Sequence, residues 1–424
     1  MSSFTPIPPP PVDFQDLDSW LGGFTNWEKQ APLSTDRRAL GPSRCRKLLQ
    51  RAGLLCSLGP TIQVAGTKGK GSTVLWMEAL LQQRGWPSAA TLSPHLASIR
   101  ERIRIDGKEL SAASLSEGLG NLHPHLWDPS DPENSMPTFF DLWTALFIER
   151  ATAAGDRWLL VEVGMGGPLD STSAIPHDVG VLTAVDLDHR PFLGETIEEI
   201  TREKASISTT GKPFIIADGS HASIAMEVAT ARGAKPVRVT DDERIPANIL
   251  APQRHNGACA LAALESIPGI DRWNSEEVAQ ALTRLQLPAR LEMIAEPQPL
   301  LLDGAHTPLS VEAFVDRFDS YRGCRCGTIL IGMLADKEIE LSLAPLTRLD
   351  PPAEIITISP PSPRGLSGAK LSTILDKLGL KSEPVHDIEM ILVELKKRAA
   401  TGEPIAATGS MHLAGMIRQH WLAG

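Results

Sequence analysis

The amino-acid sequence predicts an α/β protein with a larger N-terminal parallel-sheet domain and a smaller C-terminal Rossmann-like domain. Three observations lead to this fold class. Apolar runs typical of buried strands alternate with helical stretches along most of the chain. The length of 424 residues exceeds what a single hydrophobic core normally serves. Helical periodicity then breaks in a proline-containing stretch between residues 287 and 299, which separates the two parts.

The N-terminal part has the pattern of a parallel sheet with covering helices. Strands are predicted at 61–65, 157–163 and 178–185, and helices at 72–83, 195–207 and 258–266. The polar, proline-containing residues 123–136 predict a surface loop. The proline-rich start of the chain predicts a disordered tail over residues 1–15, and the domain itself is expected over 16–287.

The C-terminal part follows a predicted hinge at residues 288–299 and occupies residues 300–424. Its strands are predicted at 300–303, 328–334, 354–359 and 404–410. A helical or turn segment follows each strand, which favours a small Rossmann-like domain.

The composition is that of a globular protein without a nucleic-acid-binding surface. Hydrophobic residues make up 42% and charged residues 22%, and the formal net charge is −10. The five cysteines are scattered, so the sequence predicts neither a disulfide framework nor a zinc site. No apolar run reaches the roughly 20 residues that span a bilayer, and the start of the chain lacks the pattern of a signal peptide. We therefore expect a cytoplasmic protein that contacts neither membrane nor nucleic acid.

The segment GTKGKGST carries the strongest chemical signal in the sequence. It follows a strand and opens a helix, the context in which a glycine-rich loop binds phosphate. Its backbone N–H groups and the positive end of the helix attract phosphate oxygens, and Lys70 reaches the terminal phosphates. Gly71 stands where the usual pattern has Ser or Thr, so a nearby hydroxyl is expected beside the metal. The predicted nucleotide-binding residues are Gly66, Thr67, Gly69, Lys70, Gly71, Ser72 and Thr73. The larger domain is accordingly predicted to be a P-loop-type ATPase domain.

Glu162 ends a predicted buried strand just before a glycine turn. Parallel α/β sheets place their ligands at this carboxyl edge, and carboxylate oxygens suit a hard cation. The position predicts a ligand for Mg²⁺, although a salt-bridged glutamate would explain it as well.

Further blocks of sequence accompany the phosphate loop. In chain order they are SPHL at 93–96, ERIRI at 101–105, EVGMGG at 162–167, LDH at 187–189, LG at 193–194, REKA at 202–205, ARLE at 289–292 and DGAH at 303–306. Together with GTKGKGST, these blocks resemble the folylpolyglutamate synthase/dihydrofolate synthase family, which belongs to the Mur-ligase superfamily. The resemblance covers roughly residues 60–415.

The resemblance implies further site residues. It implies four metal ligands, with the lysine carbamylated: Ser93, Glu162, His189 and Lys204. Asn256, Arg290 and Asp303 match positions that hold the nucleotide, and His306 matches one close to the incoming glutamate. Thr138 and Phe139 are candidates for the pterin-side wall, although core packing explains Phe139 equally well. Lys70, Lys204, Arg290 and His306 form the predicted catalytic set, in which the guanidinium stabilises charge as an acyl phosphate forms.

The implied reaction uses ATP and Mg²⁺ to join L-glutamate to dihydropteroate, to folate (poly)glutamates, or to both. ATP activates the carboxylate as an acyl phosphate, which the amine of glutamate then attacks. The family also implies a monomer with small-molecule substrates.

Three positions depart from the family pattern and keep alternatives open. Pro168 replaces an arginine, Thr307 an asparagine and Asp141 a glutamate. The alternatives are another Mur-type amino-acid ligase and a non-catalytic paralogue that binds nucleotide or folate. Uncoupled nucleotide hydrolysis is a third, weaker possibility.

Overall fold

The computed structural model describes residues 8–11, 14–26, 41–56, 58–128, 136–188 and 190–423. Within these residues the chain forms an eight-stranded and a six-stranded sheet, each covered by helices. The predicted α/β fold class is confirmed.

The larger sheet has the strand order β4-β3-β2-β5-β1-β6-β7-β8. Its strands are β1 Thr61–Ala65, β2 Ser88–Thr91, β3 Ile103–Ile105, β4 Lys108–Glu109, β5 Trp158–Glu162, β6 Val179–Leu182, β7 Pro213–Ala217 and β8 Lys235–Val239. The pairing is parallel from β2 to β8, whereas β3 and β4 extend it as an antiparallel edge. Strand β1 lies in the interior of the sheet, between β5 and β6.

Ten α-helices accompany this sheet in the described part of the chain. They are α1 Phe14–Leu21, α2 Ser43–Arg51, α3 Lys70–Gln83, α4 Ala112–Leu122, α5 Phe139–Ala153, α6 Arg190–Leu193, α7 Ile197–Ala205, α8 Ala222–Ala231, α9 Ala251–Glu265 and α10 Ser275–Leu282. Helix α3 is buried on nearly all sides because it packs between the sheet and α9. A continuous apolar surface of this kind explains why its sequence shows little amphipathic pattern.

The smaller sheet has the order β13-β12-β11-β14-β10-β9. Its strands are β9 Glu292–Ile294, β10 Leu300–Leu302, β11 Thr328–Ile331, β12 Glu354–Thr357, β13 Ser382–Pro384 and β14 Ile405–Thr408. The covering helices are α11 Pro308–Arg322, α12 Ile339–Leu343, α13 Gly368–Lys377, α14 Ile388–Ala400 and α15 Met411–Leu422. Only β9 pairs antiparallel among these described strands.

The structure contains strands that the sequence analysis did not predict, among them β2, β3, β4, β7 and β8 of the larger sheet. Three further differences have a physical reason. Strands β9 and β13 were not predicted, because three-residue edge strands that contain charge or proline show no period-2 pattern. Helix α9 begins at Ala251, earlier than expected, because Pro252 lies in its first turn, where no backbone N–H is needed. Within the predicted loop, His123–His125 forms a 3₁₀ turn, and residues 129–135 lie outside the described part.

The domain boundaries stay a prediction. Strand β9 lies inside the predicted hinge and pairs with β10 of the smaller sheet. At the start of the chain, residues 1–7 and 12–13 lie outside the described part, and α1 begins at Phe14. The indole Nε1 of Trp20 donates to the carbonyl of Pro8, at 2.8 Å. None of the described helices has the length and apolar character required to cross a bilayer.

Candidate active site between the two sheets

A cavity of about 1260 Å³ lies between the two parts of the molecule. The carboxyl ends of β1 and β5 face it from the larger sheet, and residues after β10, β11 and β14 face it from the smaller one. Ligands of parallel α/β sheets bind at this edge, because the loops that follow the strands converge there. The cavity therefore brings together site residues that are far apart in the sequence.

The phosphate loop connects β1 to α3, as predicted. Gly66 and Gly69 have φ angles of 147° and 90°, which side chains rarely allow. The backbone N–H groups of Thr67 and Lys68 both donate to the carbonyl of Ala184, at 2.8 and 3.1 Å. The loop is thus fixed against the end of β6 before any phosphate binds.

The first turn of α3 supplies charge and hydroxyl groups. The ammonium of Lys70 donates to the carbonyl of Gly66 at 3.2 Å, so it lies folded over the loop. Ser72 lines the cavity, and the hydroxyl of Thr73 is buried without a hydrogen-bond partner among the described residues. Of these two residues, Ser72 is the one that borders the space where a phosphate or a metal-bound oxygen would lie.

Gly71 lies where two functional side chains approach the helix. A Cβ atom at this position would lie 2.8 Å from Nη2 of Arg290 and 3.2 Å from Oε2 of Glu162. The space that serine occupies in the usual phosphate-loop pattern is therefore filled by a guanidinium and a carboxylate. This packing explains the departure from the usual pattern.

The exchange Gly71→Ser is expected to lower ATP-dependent turnover about 100-fold, because it displaces Arg290 and Glu162 by a few tenths of an ångström or more. Turnover is measured as phosphate release, and thermal unfolding checks that the variant is folded. A variant that keeps wild-type turnover would show that neither side chain requires its observed position.

Glu162 ends β5 and is buried beside the phosphate loop. Its Oε2 accepts the backbone N–H of Ser93 at 2.7 Å. Burial raises the pKa of its carboxyl, although Lys70 and other nearby cations oppose the shift. A carboxylate at the end of a strand, beside a phosphate loop, suits a hard divalent ion that also binds phosphate oxygens.

The other predicted metal ligands fit this arrangement in part. Ser93 lines the same cavity, whereas His189 lies outside the described residues. Among the described residues, no group of three or more His, Cys, Asp or Glu side chains forms a metal site. The oxygen-bearing side chains that line the cavity here are those of Glu162, Ser93 and Ser72, a set that fits Mg²⁺.

Lys204 lies in the last turn of α7 and is 3% exposed. Burial lowers the pKa of its ammonium to about 7, and the positive charge of Lys70 acts in the same direction. A large fraction of the side chain is therefore a neutral amine near neutral pH. Carbamylation requires this form, because only an unprotonated amine attacks carbon dioxide. The carbamate and its metal role stay predictions.

Arg290 reaches the phosphate loop from the smaller sheet. Its neighbours Ala289 and Leu291 have φ angles of 51° and 55°, which are unusual for residues with side chains. The carboxylate of Asp303 accepts the N–H of Leu291 at 2.6 Å, and the N–H of Gly304 donates to Ala289. These contacts hold the strained turn that directs the guanidinium towards Gly71.

Asp303 lies in the wall of the cavity, in the turn after β10. Burial raises the pKa of its carboxyl to about 6, although the N–H of Leu291 favours the ionised form. The folded protein therefore retains a proton that the unfolded chain releases near pH 4. Folding stability consequently decreases as the pH rises between about 4 and 6.

The exchange Asp303→Asn is expected to remove this pH dependence, because asparagine stays neutral and still accepts the N–H of Leu291. Relative to the variant, the wild type should lose about 2–3 kcal/mol of unfolding free energy between pH 4 and pH 7. Urea unfolding followed by tryptophan fluorescence at both pH values measures the difference. An equal change in unfolding free energy between the two pH values for both proteins would contradict the expectation.

His306 lies in the turn before α11 and faces the phosphate loop. Its Nδ1 lies 2.7 Å from the carbonyl of Gly304, so this nitrogen carries the proton. Its Nε2 lies 3.0 Å from Nζ of Lys68 and accepts from that ammonium. Burial lowers the pKa of His306 to about 4 and that of Lys68 to about 8. The imidazole is therefore neutral at physiological pH.

Lys68, Asp188 and Lys337 are site residues to which the sequence analysis assigned no role. Nζ of Lys337 donates to Asp188 at 2.7 Å, and the same carboxylate lies 3.8 Å from Nε2 of His306. Lys337 lies in the turn after β11, so its place at a strand end was an available signal. This charged group connects the two sheets across the cavity.

The residues proposed for the acceptor side line another part of the cavity. Thr138 caps α5 and accepts the N–H of Asp141 at 3.1 Å. Phe139 stacks on Trp143 at 5.7 Å between ring centroids, and the guanidinium of Arg102 lies 5.5 Å from its ring. Phe139 thus contributes to the core and also borders the cavity.

Two buried carboxylates fix the local structure here. Asp141 accepts from Nε of Arg44 at 3.0 Å and from the hydroxyl of Ser171 at 2.6 Å. Asp170, which the sequence analysis did not single out, accepts the N–H of Met165 at 2.8 Å and lines the cavity. Its position after the glycine turn that follows Glu162 was the available signal.

Asn256 completes the nucleotide side. It lies on α9, and a Cβ at Gly69 would lie 2.3 Å from its Oδ1. Of the predicted residues, Glu162, Arg290, Asp303, His306 and Asn256 all meet the phosphate loop in one cavity.

Comparison with known proteins gives a consistent set of relatives. No family model matches the chain. The dihydrofolate synthase/folylpolyglutamate synthase of Escherichia coli is 31% identical over 347 residues, which cover 77% of this chain and 78% of the relative. The Bacillus subtilis protein of the same name is 26% identical over 96% of this chain and 98% of its own length. The chain spans about half the length of two further relatives. One is the probable bifunctional folylpolyglutamate synthase/dihydropteroate synthase of Haloferax volcanii, of which 48% is covered.

Solved structures agree with these relatives. E. coli FolC in complex with DHPP and ADP has a TM-score of 0.81 at 26% identity, and 96% of this chain and 97% of that chain are covered. The Yersinia pestis bifunctional folylpolyglutamate synthase/dihydrofolate synthase complexed with AMPPNP and Mn ion has a TM-score of 0.82 at 26% identity, and 98% of this chain and 99% of that chain are covered. The chain belongs to the dihydrofolate synthase/folylpolyglutamate synthase family.

Proposed function

We propose that the protein is an ATP- and Mg²⁺-dependent ligase that adds L-glutamate to dihydropteroate, to folate (poly)glutamates, or to both. The observation that carries the proposal is one cavity in which a phosphate loop, a buried carboxylate, a guanidinium and a neutral imidazole face one another. The relatives support the substrate class, because their names and bound ligands include folates, ADP and L-glutamate.

The phosphate loop binds ATP through its backbone N–H groups, and Lys70 lies over its terminal phosphates. The acceptor carboxylate attacks the γ-phosphorus, which forms an acyl phosphate and releases ADP. Arg290 directs its guanidinium at the phosphate loop and stabilises negative charge on the transferred group. Glu162 and Ser93 would hold Mg²⁺ together with the predicted ligands His189 and carbamylated Lys204, and the ion would neutralise phosphate charge.

The amine of glutamate then attacks the acyl carbon, the C–N bond forms, and phosphate leaves. His306 lies on this side of the cavity as a neutral imidazole and adds no positive charge of its own. Residues 16–287 and 300–424 enclose the acyl phosphate and exclude water, with 288–299 as the hinge between them. We also infer that the protein acts as a cytoplasmic monomer. Light scattering of the purified protein would test the monomeric state.

The test is phosphate release from ATP in the presence of Mg²⁺ and L-glutamate, with dihydropteroate and then tetrahydrofolate as acceptors. We expect release that requires both glutamate and acceptor, and a glutamylated product by mass spectrometry. The variant Lys70→Ala should lose this activity, whereas Lys381→Ala, an exposed lysine, should retain it.

Other outcomes would select among the alternatives. ATP binding without acceptor-dependent release would indicate a non-catalytic paralogue or another Mur-type ligase. Release that needs neither glutamate nor acceptor would indicate uncoupled hydrolysis.

A further inference from the structure

Leu96 reaches from a loop of the larger sheet into the smaller sheet's core. It packs on an apolar cluster whose other members lie between Ala289 and Trp421. A Cβ at Gly415, in the middle of α15, would lie 1.9 Å from the carbonyl oxygen of Leu96 and 2.6 Å from its carbonyl carbon. Two backbones therefore meet at a distance that only glycine allows.

Glu101 determines the shape of the loop that carries Leu96. Its carboxylate accepts the backbone N–H groups of three successive residues, Leu96 at 2.7 Å, Ala97 at 2.8 Å and Ser98 at 2.7 Å. Three such bonds to one carboxylate fix the direction of the backbone over the whole turn. The Leu96 carbonyl is thereby aimed at α15.

The same loop begins at the predicted metal site. The N–H of Ser93 donates to Oε2 of Glu162, which in turn faces Gly71 of the phosphate loop. Two residues, Pro94 and His95, separate this contact from Leu96. A short and tightly bonded segment thus connects α15 with the carboxylate at the phosphate loop.

Helix α15 also touches the glutamate side of the cavity. The sulfur of Met411 would lie 2.1 Å from a Cβ at Gly304, the residue whose carbonyl accepts from Nδ1 of His306. One rigid helix therefore contacts both the turn that holds His306 and the loop that leads to Glu162.

We propose that the contact between Leu96 and Gly415 couples the position of the smaller sheet to Ser93 and Glu162. Glu101, Leu96 and Gly415 are then positioning residues for ligation: they touch no reactant, but they align the phosphate side with the glutamate side. The inference rests on the proposed ligase function. It adds a contact that coordinates the phosphate side of the cavity with the glutamate side. Since the phosphate loop itself is fixed by Ala184, nucleotide binding alone does not need this contact.

The first test is Gly415→Ala, with Gly120→Ala as its matched control. Both glycines lie in helices, where alanine is intrinsically favoured, but a Cβ at Gly120 meets no atom within 4 Å. We expect Gly415→Ala to lower kcat at least tenfold, while the Kd for ADP and the KM for ATP stay within twofold. Gly120→Ala should match the wild type in every measurement.

The second variant, Glu101→Gln, leaves α15 untouched. The carboxylate of Glu101 accepts backbone N–H groups with both of its oxygens, whereas glutamine has an NH₂ group in place of one oxygen. That NH₂ group cannot accept a hydrogen bond, so the loop loses its fixed shape. We expect the same loss of kcat with unchanged ADP affinity. Amide hydrogen exchange at residues 96–98 should increase in both variants and stay unchanged in Gly120→Ala.

The outcomes separate this inference from the proposed function. A wild type that performs no ligation would refute the function, and exchange at residues 96–98 would still decide whether Gly415 holds the loop. Unchanged exchange in Gly415→Ala, or a loss of ADP affinity as large as the loss of kcat, would overturn the coupling. If Gly415→Ala does not fold, Glu101→Gln decides by the same two measurements.

Discussion

Replacing Glu162 by glutamine is expected to lower kcat about 1000-fold, because it removes the anionic oxygen that faces the phosphate loop. The variant should fold well. Burial raises the pKa of this carboxyl, so the ionised group opposes folding increasingly as the pH rises, and the neutral amide lacks this penalty. Phosphate release and thermal unfolding at pH 7.5, measured on the same sample, test both expectations.

Glu78→Gln is the matched control for this exchange. Glu78 is also a buried carboxylate with a raised pKa, but it pairs with Arg104 at 2.9 Å and does not line the cavity. Its exchange should reduce stability, because it leaves the positive charge of Arg104 without its carboxylate partner, a cost that exceeds the gain from removing a buried carboxylate, and it should leave kcat nearly unchanged. The opposite pattern, with kcat lost at Glu78 and kept at Glu162, would refute the metal role of Glu162.

Replacing Lys204 by alanine is expected to lower kcat by about 100-fold or more, because the predicted carbamate supplies an anionic oxygen to the metal. A small carboxylate such as acetate should restore part of the activity by entering the space that the side chain leaves. The wild type should lose activity when carbon dioxide is removed and regain it with bicarbonate. This dependence should be weaker at higher pH, because the amine, with a pKa of about 7, is then unprotonated.

Isotope labelling gives a direct readout of the carbamate. With ¹³C-bicarbonate, the wild type should show a carbamate resonance that is absent from Lys204→Ala and present in the exposed-site control Lys381→Ala. An identical spectrum for wild type and Lys204→Ala would exclude the modification at this lysine. Unchanged activity in Lys204→Ala would exclude a role of this lysine in catalysis.

The sequence could predict those parts of the site that depend on neighbouring residues in the chain. The phosphate loop was predictable because a strand, a glycine turn and a helix follow one another directly. The place of Glu162 at the end of β5 was predictable for the same reason. Fold class followed from the alternation of strands and helices, although three-residue edge strands such as β9 and β13 carry too little pattern.

Contacts across the cavity could not be predicted in this way. Lys68 and His306 meet although 238 positions separate them, and Lys337 meets Asp188 across 149 positions. Nothing in the sequence near Gly415 indicates that the carbonyl of Leu96 approaches it. The low pKa of His306 likewise depends on burial by both sheets, which local sequence does not record. Metal coordination by His189 stays a prediction.

The turn around Arg290 has a consequence for attempts to make this protein more heat-resistant. Ala289 and Leu291 both adopt left-handed backbone angles, each of which costs on the order of 1 kcal/mol for a residue with a side chain. Glycine at residue 289 would relieve this strain and remove only a methyl group, whereas glycine at residue 291 would also remove the packing of the Leu291 side chain on the core of the smaller sheet. A search for stabilising substitutions would therefore select glycine at residue 289. That glycine would also give Arg290 a more mobile base, so the most thermostable sequence and the most active one should diverge at this position.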